Sequence, residues 1–278
     1  MQTTQHITGP GNIRLEVITH MPDGPPKPMR LLCVHGAWHG AWCFADTFLP
    51  WFAARGYEIS SMSLRGHAGS SGSTRFARLT DYAADLRAVL ATYPTPPVVI
   101  AHSMGGLLTL MLASEGVKFP GAALLAPLPI VGTVPLVRRF FRTRPVHALR
   151  VFLQDDAGYK VNYPETDGKW FLSPEMPSEE AEAVIARFSR ESFTATGLEA
   201  GPLIGRFHNP AQVATPLLVF AGAYDTLFTP DEIQQTARAY GTMAHILPTM
   251  GHDLMLDPGW EAITEQIEVW LQGLGAPD

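Results

Sequence analysis

Val98-Val99-Ile100-Ala101-His102-Ser103-Met104-Gly105-Gly106 runs from an apolar, β-branched segment into small residues and then into the helical pattern Leu107–Ser114. A serine on so sharp a strand-to-helix turn has its hydroxyl thrown clear of both elements, the arrangement of a nucleophile elbow. Ala101 stands where glycine is usual, and the position needs little more than a small side chain. The N–H of Met104 and the positive end of the new helix then face any oxyanion formed at Ser103. Five residues alone would also suit a glycine-rich turn with an incidental serine; the strand and helix on either side favour the elbow.

A serine hydroxyl is a poor nucleophile until a neighbouring base removes its proton. Thr249-Met250-Gly251-His252-Asp253 offers His252, between the apolar run Ala244–Pro248 and the last helical pattern. A third group must orient that imidazole. Asp225, in Ala221-Gly222-Ala223-Tyr224-Asp225, leaves the end of the preceding strand one strand–helix–strand unit earlier. The order Ser103, Asp225, His252 is the one this kind of sheet uses. His102 has rival chemistry, but consecutive side chains diverge at a tight elbow, so it reads as structural. Asp253 and Asp257 lie too close along the chain to reach the far nitrogen of His252 easily, and the strand Ala122–Ala126 ends without a carboxylate.

A second glycine turn, His35-Gly36-Ala37-Trp38-His39-Gly40-Ala41-Trp42, follows an earlier strand. Such a loop can supply the second oxyanion donor, here the N–H of Ala37 beside that of Met104. A His-Gly turn that serves packing alone is its plainer reading. Metal binding by His35 and His39 lacks a supporting carboxylate or cysteine cluster, so no metal is expected. Arg65-Gly66-His67-Ala68-Gly69-Ser70-Ser71-Gly72 lacks a phosphate-loop lysine and reads as scaffold.

Around these turns, short apolar runs alternate with helical patterns, the mark of strand–helix units on a largely parallel sheet. The candidate strands are Ile13–Thr19, Arg30–His35, Glu58–Leu64, Pro97–His102, Ala122–Ala126, Leu217–Gly222 and Ala244–Pro248. Tyr82, Leu86, Val89, Leu90 and Tyr93 form one helical stripe, and Ile263, Ile267, Trp270, Leu271 and Leu274 another. Thr229-Pro230-Asp231-Glu232 is a capping box with proline in the first turn. Phe119–Val137 is uncharged, but its four prolines and two glycines make it a buried strand running into a loop rather than a membrane span.

From residue 129 to residue 210 the alternation stops, with helical signals such as Ser178-Glu179-Glu180 and no convincing strand. The expected organisation is a core of 1–128 and 211–278 with a helical cap at 129–210, over the carboxyl ends of the strands where such sheets bind ligands. Within the cap, Leu136, Val137, Phe140, Phe141, Val146, Leu149, Val151, Phe152 and Leu153 interleave with Arg138, Arg139, Arg142, Arg144 and Arg150. The apolar set fits either the packed face of a cap helix whose basic face is solvated, or the lining of an acyl pocket with Trp38, Phe140 and Phe141 as substrate-binding side chains. The arginines are expected to face water or make weak contact with an anionic lipid surface.

Taken together, His35-Gly36, Arg65-Gly66-His67, the serine elbow, Asp225 and His252 resemble the α/β-hydrolase superfamily. The resemblance spans nearly the whole chain outside the insertion. It implies a mostly parallel twisted sheet flanked by helices, and a serine hydrolase that cleaves a small-molecule carboxylic ester without a cofactor. The turn His35–Trp42 looks like the methylesterase and hydroxynitrile lyase branch, while Ser103-Met104-Gly105-Gly106 is similar to bacterial carboxylesterases and monoacylglycerol lipases. The lyases of that branch carry threonine and lysine where this chain has Gly36 and Asp253, which favours ester hydrolysis. Carbon–carbon bond hydrolases with the same elbow are the enzyme alternative; a non-catalytic small-molecule receptor is the other.

Composition narrows the field further. The 46% hydrophobic and 17% charged content is that of a folded globular chain rather than a disordered one. A net charge of −6 argues against nucleic acid as a partner, which would call for a basic stripe. Met1–Asn12 lacks the apolar core of a secretory signal, so a cytoplasmic location is the expectation. Cys33 and Cys43 read as buried thiols rather than a disulfide.

Overall fold

The structure is a computed structural model that describes residues 1–143, 145 and 170–275. Val98–His102 forms the central strand β5 because its apolar residues are buried on both faces, as parallel strands covered by helices require. Around it lie β1 (Gln2–Thr8), β2 (Arg14–His20), β3 (Leu31–Val34), β4 (Ile59–Met62), β6 (Ala122–Leu125), β7 (Leu217–Gly222) and β8 (Ala244–Leu247). Their order across the sheet is β1-β2-β4-β3-β5-β6-β7-β8. Pairing is parallel from β4 to β8 and antiparallel only where β1 and β2 join. The helices are α1 (Trp42–Ala45), α2 (Phe48–Ala53), α3 (Leu79–Leu90), α4 (Met104–Ser114), α5 (Val134–Thr143), α6 (Ser178–Ala186), α7 (Pro230–Ala239) and α8 (Glu261–Gly273).

Every strand expected from the apolar runs is present, Leu217–Gly222 with its expected bounds and the others shortened or shifted by one or two residues at their ends. β1 was not among them. Its sequence Gln-Thr-Thr-Gln-His-Ile-Thr is exposed almost throughout, so no apolar period marks it; main-chain pairing with β2 across Gly9–Ile13 makes it a strand. The uncharged run Phe119–Val137 holds a buried strand, β6, that runs into a loop over residues 126–133 as expected, and only its last four residues enter α5. Among the described residues no helix is long and apolar enough to cross a membrane. Cys33 and Cys43 are buried free thiols.

Helix α3 buries Tyr82, Leu86 and Val89, and α8 buries Ile263, Ile267 and Leu271, the stripes their spacing demanded. Helix α7 begins with the expected capping box: Thr229 Oγ1 accepts from Glu232 N and Glu232 Oε2 from Thr229 N. Between β6 and β7 the described residues contain α5, α6 and a π-helical turn at Thr194–Glu199, and no strand.

Helix α4 is almost entirely buried, and Gly105 lets it lie against the end of β3. A Cβ there would approach the backbone oxygens of Val34 and His35 to 2.6 Å. Backbone cannot swing aside, so Gly105→Ala is expected to cost about 2 kcal/mol or more. A denaturant midpoint equal to that of the wild type would contradict this packing.

Candidate active site

Ser103 occupies the turn between β5 and α4 with φ +50° and ψ −115°. A non-glycine residue there is strained, and such strain persists only where the surroundings over-determine the backbone. They do so here: Ser103 N donates to Leu125 O on β6, and the serine carbonyl accepts from Gly106, Leu107 and Leu128 N–H. Gly36 and Gly106 leave the space the turn needs, since a Cβ at Gly36 would meet Ser103 Cβ at 2.7 Å and one at Gly106 would meet Pro127 Cβ at 2.9 Å.

The structure brings Asp225 and His252 together. His252 Nδ1 donates to Asp225 Oδ2 at 2.8 Å, with both side chains buried. The other carboxylate oxygen accepts from Leu227 N and Phe228 N at 2.8 and 2.9 Å, so Asp225 is fixed before the histidine meets it. Burial alone would push the His252 imidazole down. The Asp225 carboxylate, by charge and hydrogen bond, instead holds it above the usual histidine value, with Asp253 and Asp257 adding to the pull. Among the described residues no hydrogen bond joins Ser103 Oγ to His252 Nε2, although both residues line the same cavity.

Ser103, His252, Ala37 and Met104 line one cavity of about 450 Å³. The N–H direction at Ala37 follows from its neighbour. His35 Nδ1 donates to Gly36 O at 2.6 Å and His35 Nε2 accepts from Leu64 N. The Gly36–Ala37 peptide is trans, so within its plane the Ala37 N–H points antiparallel to the Gly36 carbonyl that His35 holds. Burial, first of all, holds His35 well below the usual histidine range and keeps it neutral for this task.

The rivals for each role have other work. Asp253 accepts from His39 Nε2 at 3.0 Å. Asp257 accepts from Gly251 N and Ser173 N at 2.6 and 2.7 Å, which shapes the loop that presents His252. Burial pushes its carboxyl up to about 7, although both N–H groups favour the charged form. His102 bonds the backbone of the catalytic candidate: its Nε2 donates to His252 O at 3.1 Å. That contact was not legible, because 150 residues separate the two in sequence. His39, His102 and Asp253 place three possible metal-ligand atoms within 4.8 Å of one another. Hydrogen bonding already joins His39 to Asp253.

Phe140, Phe141, Leu136 and Val137 line the cavity wall, and so does Trp38. The expectation for the arginines needs correction at Arg139, which pairs with Glu232 and donates to Leu227 O, so it ties α5 to the start of α7. Arg138 is among the residues that line the cavity. Arg144, Val146, Leu149, Arg150, Val151, Phe152 and Leu153 lie outside the described residues.

A profile of the alpha/beta hydrolase family matches residues 31–262, a span holding the elbow, Asp225 and His252. The chain belongs to the alpha/beta hydrolase family. It is 28% identical over 274 residues to the magnesium-chelatase 30 kDa subunit of Rhodobacter capsulatus, covering 90% of this chain and 89% of that protein. Among solved structures it is similar to a thermophilic esterase from Thermogutta terrifontis (TM-score 0.70, 20% identity, 98% of this chain and 99% of that one). It also resembles the naproxen esterase, carboxylesterase NP, from Bacillus subtilis (TM-score 0.71, 18% identity, 98% and 92%). At these identities the structural likenesses establish the fold alone.

Proposed function

We propose that this protein hydrolyses a carboxylic ester through an acyl-enzyme on Ser103. The observation that carries the reading is the strained serine sharing an apolar cavity with a histidine whose far nitrogen is bonded to a buried carboxylate. Ser103 Oγ attacks the ester carbonyl while its proton passes to His252 Nε2. The tetrahedral oxyanion is held by the N–H groups of Ala37 and Met104. As the carbon–oxygen bond breaks, His252 returns the proton to the leaving alcohol. Water then attacks the acyl group, gives its proton to His252, and the acid departs as Ser103 is reprotonated.

The name of the Rhodobacter relative raises magnesium handling as another reading. Mg²⁺ is held by oxygen ligands, carboxylates above all, whereas no aspartate or glutamate is among the described residues lining this cavity. The serine chemistry is therefore preferred. It would be tested with p-nitrophenyl esters of increasing acyl length; saturable turnover supports it, and its absence on every chain length would argue for a receptor.

In this reading residues 129–210 are a cap on the core of 1–128 and 211–278, and α5 forms the acyl wall. Phe140→Ala and Phe141→Ala are expected to move the preferred acyl length upward while the rate on acetate changes less than about threefold, since one lost ring opens space far from the carbonyl. An unchanged chain-length profile in both variants would remove α5 from substrate recognition.

A further inference from the structure

Glu191, between α6 and the π-helical turn, is fully buried and accepts four hydrogen bonds. Its Oε2 takes Trp38 N at 3.2 Å and His67 Nε2 at 3.1 Å; its Oε1 takes Tyr82 Oη at 2.7 Å and its neighbour Ser192 N at 2.6 Å. Three of these donors belong to the core and one to the insertion. His67 Nδ1 donates to Arg65 O at 2.9 Å, so both ring nitrogens carry protons and the pair is a buried imidazolium–carboxylate. The turn Arg65–Gly72, read from sequence as scaffold, thus presents a cation to a group from the insertion.

What this carboxylate grips is the oxyanion loop. Trp38 has φ +66°, costly for so large a residue. Its N–H goes to Glu191, and its carbonyl accepts from Ser189 N at 2.6 Å, also on the insertion. The preceding carbonyl, Ala37 O, accepts from His39 Nδ1 at 2.7 Å. The Ala37–Trp38 peptide is thereby held by its oxygen from the core and by its nitrogen from the insertion. We infer that Glu191 is a positioning residue for the oxyanion hole, which locks the Ala37–Trp38 peptide so that hydrolysis depends on the insertion being seated on the core. This rests on the acyl-enzyme reading above.

A hole that loosens loses its grip on the transition state while substrate binding in the apolar cavity is spared. Glu191→Gln keeps the volume but turns an amide N–H₂ toward existing donors. Expected for p-nitrophenyl acetate, per folded molecule, is a roughly 10- to 100-fold fall in kcat with KM within about threefold of the wild type. Tyr82→Phe, which removes one donor to Glu191 and leaves the carboxylate, is expected to lower kcat about three- to tenfold, again at constant KM. A folded Glu191→Gln enzyme with wild-type kcat, or one whose loss appears wholly in KM, would overturn the inference. If Glu191→Gln does not fold, unchanged kcat in Tyr82→Phe overturns it instead. A wild-type protein inactive on every ester would sink the serine-hydrolase reading first, an outcome distinct from an active wild type that is indifferent to Glu191.

Discussion

Ser103→Ala is expected to reduce turnover of p-nitrophenyl esters by a thousandfold or more while leaving the unfolding midpoint nearly unchanged. The two halves have separate causes. A nucleophile acts as one unit with its base and acid, so deleting it forfeits the contribution of all three and leaves only binding and the oxyanion donors. Stability, by contrast, comes from the backbone of the turn. Residue 103 is held by its own N–H and carbonyl, bonded to Leu125, Gly106, Leu107 and Leu128, and alanine retains each of those bonds. Alanine also inherits the same strained φ, so the strain neither grows nor is relieved. The decisive measurement is kcat/KM beside a denaturation curve on the same preparation. Residual activity above a tenth of wild type in a folded variant would exclude Ser103 as the nucleophile.

How far the sequence could be read depended on whether the physics was local. The strand–turn–helix at Val98–Ser114 declares itself because burial on both faces, small residues and a helical period occur within seventeen consecutive positions. The cap of α7 was legible for the same reason, since Thr229 and Glu232 bond each other. β1 was not legible: its exposed polar residues carry no pattern, and only the partner strand makes it one. The same limit hid the supports of the site. Glu191 reaches Trp38 across 153 positions and His102 reaches the carbonyl of His252 across 150, so nothing in the neighbourhood of either residue betrays its partner. Arg139 looked like one more surface cation until α7 supplied Glu232. A motif shows which groups do the chemistry, whereas the groups that aim them are assembled by the fold.

The orientation of His252 leads to the second large effect. His252→Ala should approach the loss seen for Ser103→Ala, because the serine then has no base. Asp225→Asn should cost somewhat less, about a hundred- to ten-thousandfold, since the imidazole remains but its tautomer and charge lose their support. A pH profile separates this from simple damage. In the proposed mechanism the working base is neutral His252, so activity is expected to rise as the imidazolium gives up its proton. Burial opposes that charge; the Asp225 carboxylate outweighs burial and raises the ring above its ordinary value. The wild-type acid limb is therefore expected above pH 6.5. In Asp225→Asn the counter-charge is gone and the desolvation remains, so the limb should move to lower pH even as the plateau falls. Asp253→Asn should shift it less, because the Asp253 carboxylate is bonded to His39 rather than to the His252 ring. An acid limb that stays in place or moves up in Asp225→Asn, or a larger rate loss in Asp253→Asn or Asp257→Asn, would mean that another carboxylate holds the base.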